Sequence, residues 1–191
     1  MRLRTAILLL SVCIIPGANA AVSVPGSGLA HACYVAALQA SALAGEKDCS
    51  TALDDATLSL RNRAATYVNR GVLRTSLRRY DAALADYDRA VAMGKHLSPP
   101  DLALAHVDRA SVLISIGRFA EAIADANMGL NLGTPKPEFA YYNRALAEDY
   151  LGNFKAAYHD YKQALAVVPD FTPAADQLRR YRVESRPANG T

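Results

Sequence analysis

The 191-residue chain lacks most of the patterns that mark an enzyme. Its four histidines, His31, His96, His106 and His159, fall in different elements, and none forms HxxxH or HExxH. The sequence therefore offers no metal site. No GxSxG turn presents a serine nucleophile. Gly26-Ser27-Gly28 lies before any helix and lacks the downstream lysine of a phosphate loop. Asp54-Asp55 reads as a solvated helix face rather than a catalytic dyad. No catalytic residue and no cofactor is expected. Cysteine is scarce, with three residues and no CxxC pair, which excludes a thioredoxin-like redox role.

Long hydrophobic runs are also missing. The longest, in TAILLLSVCIIPG, is too short for a spanning helix and is broken by Pro16-Gly17. It follows the basic start MRLR and precedes the small residues ANA, the layout of a signal peptide over residues 1–20 cleaved after Ala20. Leu10-Ser11-Val12-Cys13 resembles a lipobox, so a lipoprotein is the rival reading, though Val12 fits poorly before the cysteine. Cleavage removes Arg2 and Arg4 and lowers the formal charge from +3 to +1. A nearly neutral chain argues against nucleic acid as a partner. Export would place the protein in the periplasm or outside the cell, with no integral membrane segment after cleavage. Cys33 and Cys49 then remain as an even pair. A disulfide would close a loop of about 15 residues and contribute roughly 3 kcal/mol; two separate buried thiols are the alternative.

What the chain does have is periodicity. After a flexible lead-in over residues 21–30, YVNRG at 67–71 recurs as HVDRA at 106–110 and YYNRA at 141–145. Ten residues after each arginine comes Tyr80, Phe119 or Phe154. Alanine follows at 83, 122 and 157, then Asp86, Asp125 and Asp160. The arginines are spaced by 39 and 35 residues. Apolar spacing is helical within each unit and breaks once, at SLRRY, IGRFA and LGNFK. Each unit therefore reads as two antiparallel helices joined by a tight turn. SPPD and TPKPE separate the units.

These features resemble the tetratricopeptide-repeat family, most clearly in LGNFKAAYHDYKQALAVVPD at 151–170 and in NRG…RRYDAALADYDRAV. The resemblance spans residues 31–183. It implies an all-α, right-handed solenoid of stacked antiparallel hairpins. Repeats are expected over residues 64–97, 103–136 and 138–171. A degenerate hairpin with a longer joining loop would precede them over 31–63. A capping helix at 172–183 and a disordered tail at 184–191 would follow.

The arginine departs from the family pattern, which is usually apolar there. Arg70, Arg109 and Arg144 each have an aspartate 16 residues on: Asp86, Asp125 and Asp160. That offset faces each pair across its hairpin, so structural ion pairs are expected, since an unpaired buried charge is costly. An arginine row for anionic ligands is the other reading. His106, in the place of Tyr67 and Tyr141, is expected to pack.

The resemblance also implies a function. Family members bind a protein or peptide in a concave groove lined by the first helix of each unit. The lining positions here include Val68, Val72, Thr75 and Ser76; Val107, Ser111, Ile114 and Ser115; and Phe139, Tyr142, Leu146, Asp149 and Tyr150. Tyr142 and Tyr150 are the candidate exposed anchors, with Asp149 and the hydroxyls supplying orientation. The Lys/Asn clamp for peptide carboxylates is absent. The expected function is an exported, non-catalytic interaction scaffold; a docking subunit of an envelope-assembly or secretion machine is the alternative. Arg179, Arg180, Arg182 and Arg186 read as a solvated cap, or else as contacts for anionic lipid or cell-wall polymer.

Overall fold

The computed structural model describes residues 2–5, 20–39 and 41–184. Four helix hairpins stack in chain order: α1 (Leu29–Leu38) with α2 (Ala42–Asp54), α3 (Leu60–Ser76) with α4 (Tyr80–Ala92), α5 (Pro99–Ser115) with α6 (Phe119–Asn131), and α7 (Pro137–Tyr150) with α8 (Phe154–Val167). A 3-10 turn (Gly94–His96) follows α4, and α9 (Thr172–Leu178) packs on α8. Each second helix also touches the first helix of the next hairpin, and α1 touches α3 as α5 touches α7. The result is a right-handed α-solenoid. Among the described residues, no helix is long and apolar enough to cross a membrane.

Local chemistry sets the helix ends. Ser59 and Ser98 cap α3 and α5 by accepting from the backbone N–H groups of Asn62 and Asp101. Prolines open α5, α7 and α9, where a missing N–H costs nothing. All four hairpins close alike: the backbone N–H groups of Ser41, Arg79, Arg118 and Asn153 reach back to the carbonyls of Ala36, Arg74, Leu113 and Glu148. Three residues join the helices of every hairpin, so the first joining loop is not longer, contrary to the sequence expectation.

The closure needs a left-handed residue. Gly117 and Gly152 supply it at φ 79° and 81°, but the α3–α4 turn uses Arg78 at φ 57°. A side chain there is strained by roughly 1–2 kcal/mol. Arg78→Gly should therefore raise stability by about 0.5–1 kcal/mol, net of the extra unfolded-state freedom of glycine, as read from urea melting midpoints.

Small residues let the helices approach. Ala64, Ala83, Ala90, Ala103, Ala110, Ala122, Ala145, Ala157 and Ala164 are all fully buried. At Gly71 an added Cβ would stand 2.8 Å from the Tyr87 ring, so the α3–α4 contact is closed to larger residues.

The ends differ from expectation. Residues 6–19, with the apolar run and Cys13, lie outside the described residues, so the signal-peptide reading falls there. Arg2–Thr5 forms β1, antiparallel to β2 (Tyr181–Glu184), with Thr5 opposite Tyr181. The expected helix over 172–183 thus stops at Leu178. The backbone beyond it bonds to a partner strand, and Tyr181 buries its ring beside Tyr158 and Tyr161. Of the tail at 184–191, Glu184 belongs to β2 and the rest is outside the described residues. The lead-in over 21–30 is not loose: Val22 and Val24 are each 1% exposed, and α1 already begins at Leu29. At the other end of the expected 31–63 unit, residues 60–63 belong to α3.

Candidate functional site

The three arginines sit on α3, α5 and α7, each facing its own second helix. Arg70 donates from Nε and Nη2 to the Asp86 carboxylate at 2.9 and 2.8 Å. Arg109 does so to Asp125 at 2.6 and 2.7 Å, and Arg144 to Asp160 at 2.6 and 2.8 Å. These are bidentate, charge-assisted pairs. Helical geometry explains the offset: 16 residues span the rest of one helix, a three-residue turn and the same height on the next.

The remaining nitrogen was not anticipated. Nη1 of Arg70, Arg109 and Arg144 reaches Ser50, Asp88 and Asn127 on the preceding hairpin. Each of these polar residues lies two positions after an aspartate, Asp48, Asp86 or Asp125, which is the signal that could have found them. The arginine therefore ties its own hairpin together and stitches it to the one before. The first hairpin carries Ala32 at this place and Asp48 16 residues on.

Tyr67 and Tyr141 lie beneath the guanidinium groups of Arg70 and Arg144, at 5.7 and 5.5 Å from ring centroids. His106, expected to pack, is buried and also makes a 2.8 Å hydrogen bond from Nδ1 to Asp125. Burial pushes the Asp125 carboxyl up, but the bonds from Arg109 and His106 outweigh it and hold it below the usual carboxylate range.

The Cys33–Cys49 disulfide follows the same geometry, one position further along. Its offset of 16 matches Gly71 to Tyr87, Ala110 to Ala126 and Ala145 to Tyr161. The bridge stands where the other hairpins pack a small residue against α4, α6 or α8.

The candidate lining residues differ in burial: Val68, Val107 and Ile114 lie in the core, and Thr75 is half-buried. Val72, Ser111 and Leu146 are buried. Val72 packs with Cys33 and Ala37, and the Ser111 hydroxyl donates to the Asp108 carbonyl. Tyr142, expected as an exposed anchor, is 1% exposed. Phe171 and Tyr161 pack against its ring, with centroids 5.6 and 5.8 Å away, because the chain after Pro169 folds back over α7. Phe139 is half-buried, edge-on to Phe171. Asp149 pairs with Arg180 at 3.1 Å. Ser76, Ser115 and Tyr150 are exposed, and together they form a row along the turn end of the first helices. Tyr150, 51% exposed, stacks on Phe119 with centroids 4.7 Å apart.

Another set went unrecognised as functional. Asn69, Asp108 and Asn143 precede the arginines and are buried on the face turned to the preceding unit. The Asn143 amide donates to the Val107 carbonyl on α5 at 3.0 Å. Asn69 bonds the lead-in segment instead. It accepts from the Val22 N–H at 2.7 Å and donates to the Val22 carbonyl at 2.9 Å. Among the described residues, no group of three His, Cys, Asp or Glu side chains could hold a metal ion.

Comparison with known proteins bears on the fold. The NMR structure of the first TPR domain of the human RPAP3 protein is similar over 62% of this chain and 89% of that one, at 24% identity and a TM-score of 0.55. The crystal structure of MamA is similar over 76% and 80%, at 16% identity and a TM-score of 0.63. The MamA RS-1 ArsTM double mutant gives 78% and 79%, at 15% identity and 0.64. At these identities the likeness speaks for the fold alone. No curated protein matches the sequence. The family model for the tetratricopeptide repeat matches residues 64–93 and 140–171. The matched segments fall on the α3–α4 and α7–α8 hairpins, and the α5–α6 hairpin between them repeats their wiring; the chain carries tetratricopeptide repeats.

Proposed function

We propose that this chain is an exported, non-catalytic scaffold that binds a protein or peptide on the face of its first helices. The observation that carries the reading is the direction of the charge. The repeated arginines are consumed by pairs within and between hairpins. This leaves a stiff stack whose outward row on this face, Ser76, Ser115 and Tyr150, is neutral and carries one large aromatic ring. A rigid aromatic with a polar tip anchors a partner at little entropic cost. Export is supported by the Cys33–Cys49 bridge, since disulfides persist in oxidising compartments such as the periplasm. Cleavage after Ala20 would also remove β1 and leave β2 without its partner strand.

A photocrosslinking residue placed in cells at Tyr150, Ser115 and Ser76 tests the face. Discrete adducts from at least one of these sites, with none from Lys155 on α8, are expected. Equal capture from Lys155, or none from the row, would overturn the reading. A single stable multi-protein adduct would instead favour the docking-subunit alternative.

A further inference from the structure

Residues 20–25 are the described segment that lies in the core without helix or strand structure. Val22 and Val24 bury their side chains in the same apolar cluster as Ala65 and Val68, while Ser23 and Pro25 face out. That alternation is an extended chain laid on a surface. Its backbone is held by side chains. Asn69 takes both the N–H and the carbonyl of Val22. Arg61 donates to the Ser23 carbonyl at 3.2 Å, and His31 Nδ1 lies 2.8 Å from the Val24 carbonyl. Side-chain groups that read backbone accept any residue there, whereas the two buried positions select for shape.

The place exists because α1 is short. It has 10 residues, whereas α3 and α5 have 17. In the common register, with Ala32 at the place of Arg109, residues 22–28 stand where α5 has its opening turns, 99–105. Asn143 meets the middle of α5 at Val107, whereas Asn69 meets Val22 of the arm. The extended arm takes the place of those turns. The arm joins α1 through Gly26-Ser27-Gly28, which is exposed; Gly26 and Gly28 have φ values of 106° and 156°, and no atom lies within 4 Å of a Cβ built on either. This connection lets the arm leave without disturbing a helix.

We propose that the Asn69 position is a peptide-binding site whose own arm, residues 21–25, is a displaceable occupant. The partner it takes is an extended segment of another protein with β-branched aliphatic residues at alternate positions. The inference rests on the scaffold reading, but it concerns a different place from the Ser76–Ser115–Tyr150 row.

A fluorescein-labelled peptide of sequence AVSVPGSG, added to the full chain and followed by polarisation, tests it. The native chain should bind weakly, because its arm competes. Val22→Ser with Val24→Ser should tighten binding at least tenfold, and adding Asn69→Ala should remove that gain. Equal binding by native chain and arm variant would overturn the proposal, as would binding indifferent to Asn69→Ala. Should the arm variant lose its helical circular dichroism, amide exchange in the native chain decides instead. The Val22 amide should exchange at least a hundredfold faster than buried α3 amides, and equal protection would overturn it. A concentration-dependent dimer abolished by the arm substitutions would make the occupant a second copy's arm, against the partner proposed. Crosslinks from Tyr150 are untouched by any of these results, so the two readings fail separately.

Discussion

Asp86→Leu should lower the unfolding free energy by about 3–5 kcal/mol, the cost of leaving buried guanidinium groups uncompensated. The carboxylate is fully buried and holds two arginines, Arg70 in a bidentate pair and Arg74 at 2.8 Å, with Arg89 at 3.6 Å. Arg70→Met should cost less, about 1–3 kcal/mol, because Arg74 still pairs with Asp86. The double variant should fall well below the sum of the two, since removing both charges leaves little unpaired. It will not return to the native value, because Arg74 loses Asp86 and keeps Glu46, 3.0 Å away, and the Ala82 carbonyl at 3.3 Å. Urea melts of the four proteins measure the coupling. Additive effects below about 0.5 kcal/mol each would show that the pair is not what holds the hairpin.

Replacing both Cys33 and Cys49 with alanine should cost about 2–4 kcal/mol. The substitution copies the Ala110–Ala126 pair of the α5–α6 hairpin, so it introduces no new polar group and no clash. The loss is therefore chiefly that of the bridge. It should appear first in α1, α2 and the arm, because stacked repeats contact only their neighbours. Reductant should lower the melting temperature of the native chain and leave the double-alanine chain unchanged. A native chain insensitive to reductant, with two free thiols on titration, would contradict the bridge.

Both experiments probe one 16-residue offset. It was legible for Arg70–Asp86 and its repeats because three copies recurred in register. For Cys33–Cys49 it was equally present but went unused, because the first hairpin lacks the arginine that marks the unit. The candidate site was less legible. Helical spacing places Tyr142 and Tyr150 on first-helix positions but does not say what folds over each; Phe171 and Tyr161 settle that for Tyr142. Spacing from the arginine does not show the charge's third partner, since Ser50, Asp88 and Asn127 lie at unequal distances before their arginines, across linkers of different length; their shared place two residues after an aspartate marks them without saying which charge they meet.

By itself, then, the sequence determined the hairpins, their turns and the pairing within them. Those depend on contacts between residues a fixed distance apart, so repetition exposes them. Tertiary structure alone decided the stitches between hairpins, the stop of α9 at β2 and the arm in the hand of Asn69. Each joins segments that no fixed spacing links, and burial in the assembled stack selects the partner.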